Sequence, residues 1–306
     1  MKILVFGSSG LVGSSIIRFY SENKTDYTII ESTRKDTDLF SFQETNKLIQ
    51  SLKPNLIINA AAHVGGIHAN NTQRTEFILN NLKINMNILE SVINLPQTKV
   101  INLGSSCIYP LESEIPISET SLMTGKLEPT NSPYAMAKLT AIEIGDALSK
   151  QYGIKILNLM PTNLYGPNDN FSHQNSHVIP GLISRMHNAK IKKEKEFYVW
   201  GTGKPLREFL YVDDLAECIN FLINQNKIEG LLNVGSGEEV SISNLVILIQ
   251  ETIGYDGKIL FDSSMPDGNP RKLLNSSNIN NLGWKPKTNL EVGLKKTYEW
   301  YVKNQS

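Results

Sequence analysis

The stretch "MKILVFGSSGLVGSS" (residues 1–15) decides the fold. "KILVF" (2–6) is short and apolar from Ile3 onward, the composition of a strand buried on both faces. Gly7, Gly10 and Gly13 follow directly, and a helical pattern opens at about Leu11. Glycines so spaced let the backbone turn tightly, approach a pyrophosphate and pack the helix on the strand, with the helix N-terminus facing the negative charge. The stretch therefore predicts a dinucleotide site built from Gly7, Gly10, Leu11, Val12 and Gly13.

The same strand-then-helix rhythm continues downstream. "YTII" (27–30) precedes a helix over about 42–52, and "NLIIN" (55–59) precedes one over about 72–93. "KVINL" (99–103) precedes a helix over about 133–152, which leads into "IKILNLMP" (154–161). Apolar strands separated by helices predict a doubly wound, Rossmann-type parallel sheet, an α/β fold. After Pro167 the texture changes to a polar loop and shorter, mixed elements: "EFYVW", "REFLYV", a helix over about 213–223, "LLNVG" and a helix over about 242–253. The expected organisation is a dinucleotide-binding domain over 1–167 and a smaller substrate-binding region over 168–306, partly interleaved with the last strands of the sheet.

Composition narrows the function. The 306 residues carry 30 basic and 30 acidic side chains, and the one lysine-rich run, "KIKKEKE" (190–196), alternates in sign. Nucleic acid is therefore not the expected partner, because a phosphate backbone needs clustered cations. No run approaches the roughly 18 apolar residues of a membrane span. The opening apolar run is too short for a signal peptide. Two cysteines, Cys107 and Cys218, make no disulfide framework, so a reducing cytoplasm is expected. The five histidines lack metal-ligand spacing, so no metal is expected.

At the end of the second strand Glu31 stands where an acid takes the ribose hydroxyls of NAD, yet Arg34 and Lys35 follow and suit a 2′-phosphate. The balance favours NADP. "YAMAK" puts Tyr134 and Lys138 four residues apart on one helix face, 29 positions after Ser105 of "GSSCIYP" (104–110). A phenol near pKa 10 is a poor acid–base group at neutral pH until a fixed cation helps its anion.

A serine, then Y-x-x-x-K, behind an N-terminal glycine loop resembles the extended short-chain dehydrogenase/reductase superfamily. The resemblance implies that Tyr134 exchanges a proton with the substrate oxygen, that Lys138 holds the nicotinamide ribose and lowers the tyrosine's pKa, and that Ser105 assists, with Ser106 the second choice. "AAAHVGGIHANN" (60–71), "GSSCIYP", "EPTNSPYAMAK" (128–138), "MPTNLYGPNDNF" (160–171), "NSHVIP" (175–180), "VWGTGKPLREFLYVDD" (199–214) and "PDGNPRKLL" (266–274) together resemble the GDP-L-fucose synthase family, along essentially the whole chain. That family epimerises carbons 3 and 5 of GDP-4-keto-6-deoxy-D-mannose and reduces the carbon-4 ketone with NADPH. A related GDP-4-keto sugar, such as a heptose, reduced with little epimerisation, is the alternative.

The resemblance implies Cys107 and His177 as the acid–base pair of epimerisation. Their bland alternatives are a packing thiol and a helix-capping histidine. Asn163 and His177 are expected at the nicotinamide, and Asn163, Arg185, Trp200, Arg207 and Lys272 at the nucleotide sugar. Lys204 is a weaker candidate. Asp213 and Asp214 are expected to cap the helix they open, and Cys218 to pack inside it. Ser8 and Ser9 stand where the family carries basic residues, which leaves Arg34 to hold a 2′-phosphate. The family also implies a homodimer that pairs the helices near 72–93 and 133–152.

Overall fold

A computed structural model describes residues 1–172, 176–265 and 267–304. His173 and the first residues of "NSHVIP" and "PDGNPRKLL", Asn175 and Pro266, lie outside them. The first half runs β1 (Lys2–Phe6), α1 (Leu11–Glu22), β2 (Thr28–Ser32), α2 (Phe42–Leu52), β3 (Leu56–Asn59), α3 (Ile67–Thr72), α4 (Arg74–Ser91), β4 (Lys99–Leu103), α5 (Ser132–Tyr152) and β5 (Ile156–Pro161). The second half runs β6 (Asn163–Tyr165), α6 (Val178–Ile191), β7 (Glu196–Trp200), β8 (Leu206–Tyr211), α7 (Val212–Asn224), β9 (Gly230–Val234), β10 (Glu239–Ser241), α8 (Ile242–Ile253), β11 (Lys258–Asp262), β12 (Arg271–Lys272), α9 (Ser277–Asn281) and α10 (Leu290–Asn304).

Six parallel strands form the main sheet in the order β2-β1-β3-β4-β5-β9. Strand alternation explains the double winding. Ile3 and Val5 of β1 face a core shared with Ile16 of α1 and with Leu215, Ile219 and Leu222 of α7. Leu4 and Phe6 face the opposite core, with Ile49 of α2, Ile84 and Ile88 of α4 and Leu148 of α5. Each such side chain contributes about 1.5–3 kcal/mol on burial, so neither face can be left in water. Order reverses between β1 and β3, and ligands of such sheets bind beyond the strand C-termini at that reversal.

The expected elements recur with shifts of a residue or two, with one larger difference. The helix expected over 72–93 is two helices, α3 and α4, because Gln73 takes a non-helical conformation (φ −115°, ψ 41°) between them. Strand β9 pairs with β5 at the edge of the main sheet. The chain leaves the sheet at Thr162, and β6 pairs instead with β8, which also carries β10 and β12. A second core lies there, where α6, α8 and α10 pack with Phe197, Phe209 and Tyr211.

Three asparagines, Asn59, Asn102 and Asn158, stand abreast on β3, β4 and β5. The Asn59 amide donates to Asn102 Oδ1 (2.9 Å) and to Asn85 Oδ1 on α4 (3.0 Å), and Asn102 donates to Asn158 Oδ1 (3.2 Å). All four are buried, so this chain of amides fixes strand register and the seat of α4 together. Asn102→Ala strands donors and acceptors on both neighbours and is expected to cost about 2 kcal/mol, read as a lower urea midpoint at unchanged slope. An unchanged midpoint would show that the ladder carries no net stability.

Candidate active site

The loops that leave β1, β3 and β4 meet at the C-terminal edge of the sheet. Gly7 (φ +72°) donates its N–H to Ser32 O (3.0 Å), which draws the loop over the end of β2. A Cβ at Gly13 would stand 2.0 Å from Gly7 O, so only glycine lets α1 start this close to the strand. The helix opens on Gly10 with no side-chain cap and no acidic residue in its first turn, which leaves its first N–H groups and its positive end free. The buried hydroxyls of Ser8 and Ser32 have no hydrogen-bond partner. A bare helix N-terminus behind a cradle that any Cβ would fill fits a dinucleotide pyrophosphate. Beside it, Asp36 accepts from the Thr33 N–H and hydroxyl, and that turn presents Arg34 and Lys35 to solvent.

The second group forms where α5 crosses the end of β4. Tyr134 and Lys138, one turn apart, face the loop after Leu103, and the Lys138 ammonium lies 5.9 Å from the centre of the Tyr134 ring. Lys138 is buried and donates to Leu103 O (2.7 Å), and burial brings its pKa down to about 8. Burial pushes the Tyr134 phenol up and the nearby Cys107 adds to the rise, while a hydrogen bond with Ser105 pulls it back in part. In the chain alone, then, the phenol stays protonated. Phe77 of α4 meets Tyr134 edge-on at 6.2 Å and meets His63 at 4.6 Å, so an aromatic wall holds the phenol in place.

Ser105 Oγ accepts from the Cys107 N–H (3.2 Å), which closes a short 3₁₀ turn over Ser106–Ile108. The turn buries Ser106 and leaves Ser105 and Cys107 half-buried. Cys107 is therefore accessible, whereas Cys218 is wholly buried in α7 and burial pushes its thiol well up. Tyr109 is also buried and donates to Asn233 Oδ1 (2.6 Å), a structural contact.

Cations approach the thiol from the second half of the chain. Strand β12 pairs with β8 so that Lys272 stands opposite Arg207. The Lys272 ammonium reaches Cys107 Sγ at 3.6 Å. Arg207 is held below the usual guanidinium range by desolvation, against the pull of Asp267 and Cys107. Glu208, wholly buried, organises this corner: its carboxylate accepts from Gly237 N (2.8 Å) and Leu274 N (3.1 Å), and its carbonyl from Thr162 Oγ1 and Asn163 Nδ2. Asp267 accepts from both N–H and hydroxyl of Thr202, next to Gly201 and Trp200, and Trp200 is 63% exposed.

Ser105, Cys107, Tyr134 and Lys138 thus come together, with Arg207 and Lys272 at the thiol. The other expected residues have contacts of their own. His177 precedes α6, where its side chain caps nothing; it is exposed, yet protein around it lowers its pKa by desolvation. Arg185 is turned to β7, over the Phe197 ring (4.9 Å) and onto Tyr198 O. One amide hydrogen of Asn163 is committed to Glu208 O, and Lys204 is exposed. Asp213 and Asp214 do not cap α7, whose N-cap is Tyr211; Asp213 bonds Ser15 and Arg18, and Asp214 bonds Thr288. Phe77, Glu208 and Asp267 had no sequence-based assignment. Only the acids inside quoted motifs offered a signal for them.

Residues 3–235 match the model of the NAD dependent epimerase/dehydratase family. GDP-L-fucose synthase 1 of Arabidopsis thaliana is 47% identical over 303 residues, covering 99% of this chain and 94% of the relative. Among solved structures, a GDP-L-fucose synthetase from Naegleria fowleri bound to NADP superposes with TM-score 0.90 at 29% identity, over 99% of this chain and 94% of that one. A GDP-6-OMe-4-keto-L-xylo-heptose reductase from C. jejuni superposes with TM-score 0.92 at 28% identity, over 99% and 98%. With its glycine cradle under α1 and its serine, tyrosine and lysine at the end of β4, the chain belongs to the NAD dependent epimerase/dehydratase family.

Proposed function

We propose that this protein converts GDP-4-keto-6-deoxy-D-mannose to GDP-L-fucose, epimerising carbons 3 and 5 and reducing the carbon-4 ketone with NADPH. One observation carries the reading. The accessible thiol of Cys107 shares a loop with Ser105 and acts electrostatically on Tyr134. Reduction needs the two hydroxyls; inversion beside the ketone also needs a group that removes a ring proton. The 47% identity to a GDP-L-fucose synthase supports the same reaction over the heptose reductase, which shares 28%.

In this reading the Ser105 and Tyr134 hydroxyls hold the carbon-4 ketone oxygen. Cys107, as thiolate, takes a proton from the adjacent ring carbon: a C–H bond breaks, an S–H bond forms, and the electron pair passes into an enolate that the hydroxyls steady. His177 returns a proton on the opposite face. Desolvation keeps its pKa low in the chain alone, and the anionic cofactor and substrate raise it toward the protonated form. Bound NADPH would supply hydride to carbon 4, and Tyr134, protonated because burial holds its pKa high, gives its proton to the developing alkoxide.

Gly7, Gly10, Leu11, Val12 and Gly13 would hold the pyrophosphate, Arg34 the 2′-phosphate, Lys138 the ribose, and Asn163 and His177 the nicotinamide side. Residues 168–306 supply Arg185, Trp200, Arg207 and Lys272 to the nucleotide sugar. Both cysteines are free thiols, which suits a reducing cytoplasm, and no helix among the described residues is long and apolar enough to cross a membrane.

We further propose a homodimer through α4 and α5, which pack on each other and expose Leu79, Met86 and Met136. Light scattering is expected to give twice the chain mass, and a monomer at working concentration would overturn this. Incubation with substrate in deuterated water is expected to label carbons 3 and 5; an unlabelled product would favour the simple reductase. Cys107→Ser should lower label incorporation by about 100-fold or more with NADPH binding intact, and Tyr134→Phe should lower NADPH oxidation comparably while exchange persists. NADPH affinity should fall as pH rises through about 8, where Lys138 loses its charge. A flat titration across that range would remove Lys138 from the cofactor site.

A further inference from the structure

The sequence marks Lys272 only as a ligand for the nucleotide sugar, but the geometry points to a second partner. Its ammonium lies 3.6 Å from Cys107 Sγ and makes no ion pair with a carboxylate among the described residues. Its neighbour Arg271 is paired with Glu239 through bonds from Nε (2.9 Å) and Nη2 (2.6 Å), so the local acid is already committed elsewhere. A neutral thiol is a weak acceptor and offers an ammonium little in exchange for its water, whereas a thiolate offers a full charge.

The backbone under Lys272 is held unusually firmly for a two-residue strand. Leu206 N donates to Pro270 O (2.9 Å), Ile117 N to Leu273 O (2.8 Å) and Leu274 N to Glu208 Oε2 (3.1 Å). These bonds tie β12 to β8 on one side and to the segment beyond the Cys107 loop on the other. Lys272 is thereby delivered to the thiol from a part of the chain 165 residues away. Arg207, opposite it on β8, adds a second cation whose charge also acts on Cys107.

We propose that Lys272 is a positioning residue for Cys107, holding it as the thiolate that takes the ring proton. The inference rests on the epimerase reading above but is tested without substrate. When the thiolate accepts that proton the ion pair is released, and the Lys272 charge becomes free to face the negative charge that has moved into the enolate. Cys218, buried and placed beside Glu217, is the internal contrast: among the described residues no ammonium or guanidinium bonds its thiol.

The test uses the full chain with Cys218→Ser, alkylated by iodoacetamide in the absence of substrate and read at Cys107 by mass spectrometry. Lys272→Met should slow alkylation near neutral pH by about tenfold, and Lys272→Arg should stay within about threefold of the parent. Loss of structure would instead speed alkylation, so misfolding cannot imitate the result. Unchanged alkylation in Lys272→Met, with a raised KM for the GDP-sugar and unaltered kcat, would overturn the proposal and leave Lys272 a substrate ligand. Slowed alkylation in Lys272→Met, with no deuterium exchange even in the parent, would uphold the ion pair while removing the epimerase reading.

Discussion

The hydrogen bond from the buried Lys138 ammonium to Leu103 O joins the end of β4 to the first turns of α5, and the active corner depends on it. Burying an ammonium is costly, and here a single carbonyl partner offsets only part of that cost, so its pKa falls to about 8. The contact sets how far α5 advances over the strand end. One turn earlier, that advance brings Tyr134 over Ser105 and Cys107 and against Phe77. Leu103 O takes one of the three ammonium protons, so the group that anchors the helix is also the one that sets Tyr134 in place.

A second constraint acts from the other half of the chain. Glu208 is a wholly buried carboxylate with backbone N–H groups on both oxygens. Desolvation raises its pKa while those bonds lower it, and they come from the loop before β10 and from the segment after β12. The same residue's carbonyl receives Thr162 and Asn163 as the chain leaves the main sheet. One residue thus locks the strand that carries Arg207 to the strand that carries Lys272 and to the exit from β5. The backbone segments that carry Arg207 and Lys272 are tied together for that reason, although β12 is only two residues long.

The two thiols show how environment divides one chemistry. Cys107 sits half-buried on a turn closed by its own N–H to Ser105 Oγ, with the Lys272 ammonium 3.6 Å from its thiol and Arg207 acting on it electrostatically. Cys218 sits on the core face of α7 among Leu215, Ile219 and Leu222, where an anion has no solvation. Residue type is the same; what differs is access to water and to positive charge.

By itself the sequence determined the doubly wound sheet, because apolar runs and 3.6-residue patterns are local signals that burial on two faces imposes. It also determined the glycine cradle and the Tyr134–Lys138 spacing, which depend on neighbours a few residues apart. Tertiary structure alone decided the rest. It split α3 from α4 at Gln73, committed Arg185 to β7, freed Asp213 and Asp214 from capping, and set the buried amides of Asn59, Asn102 and Asn158 in one row. It also brought Lys272 to Cys107, a pairing that no local pattern encodes. Such contacts join residues far apart in the chain, and their geometry follows from strand register and helix seating, which exist only once the core has packed.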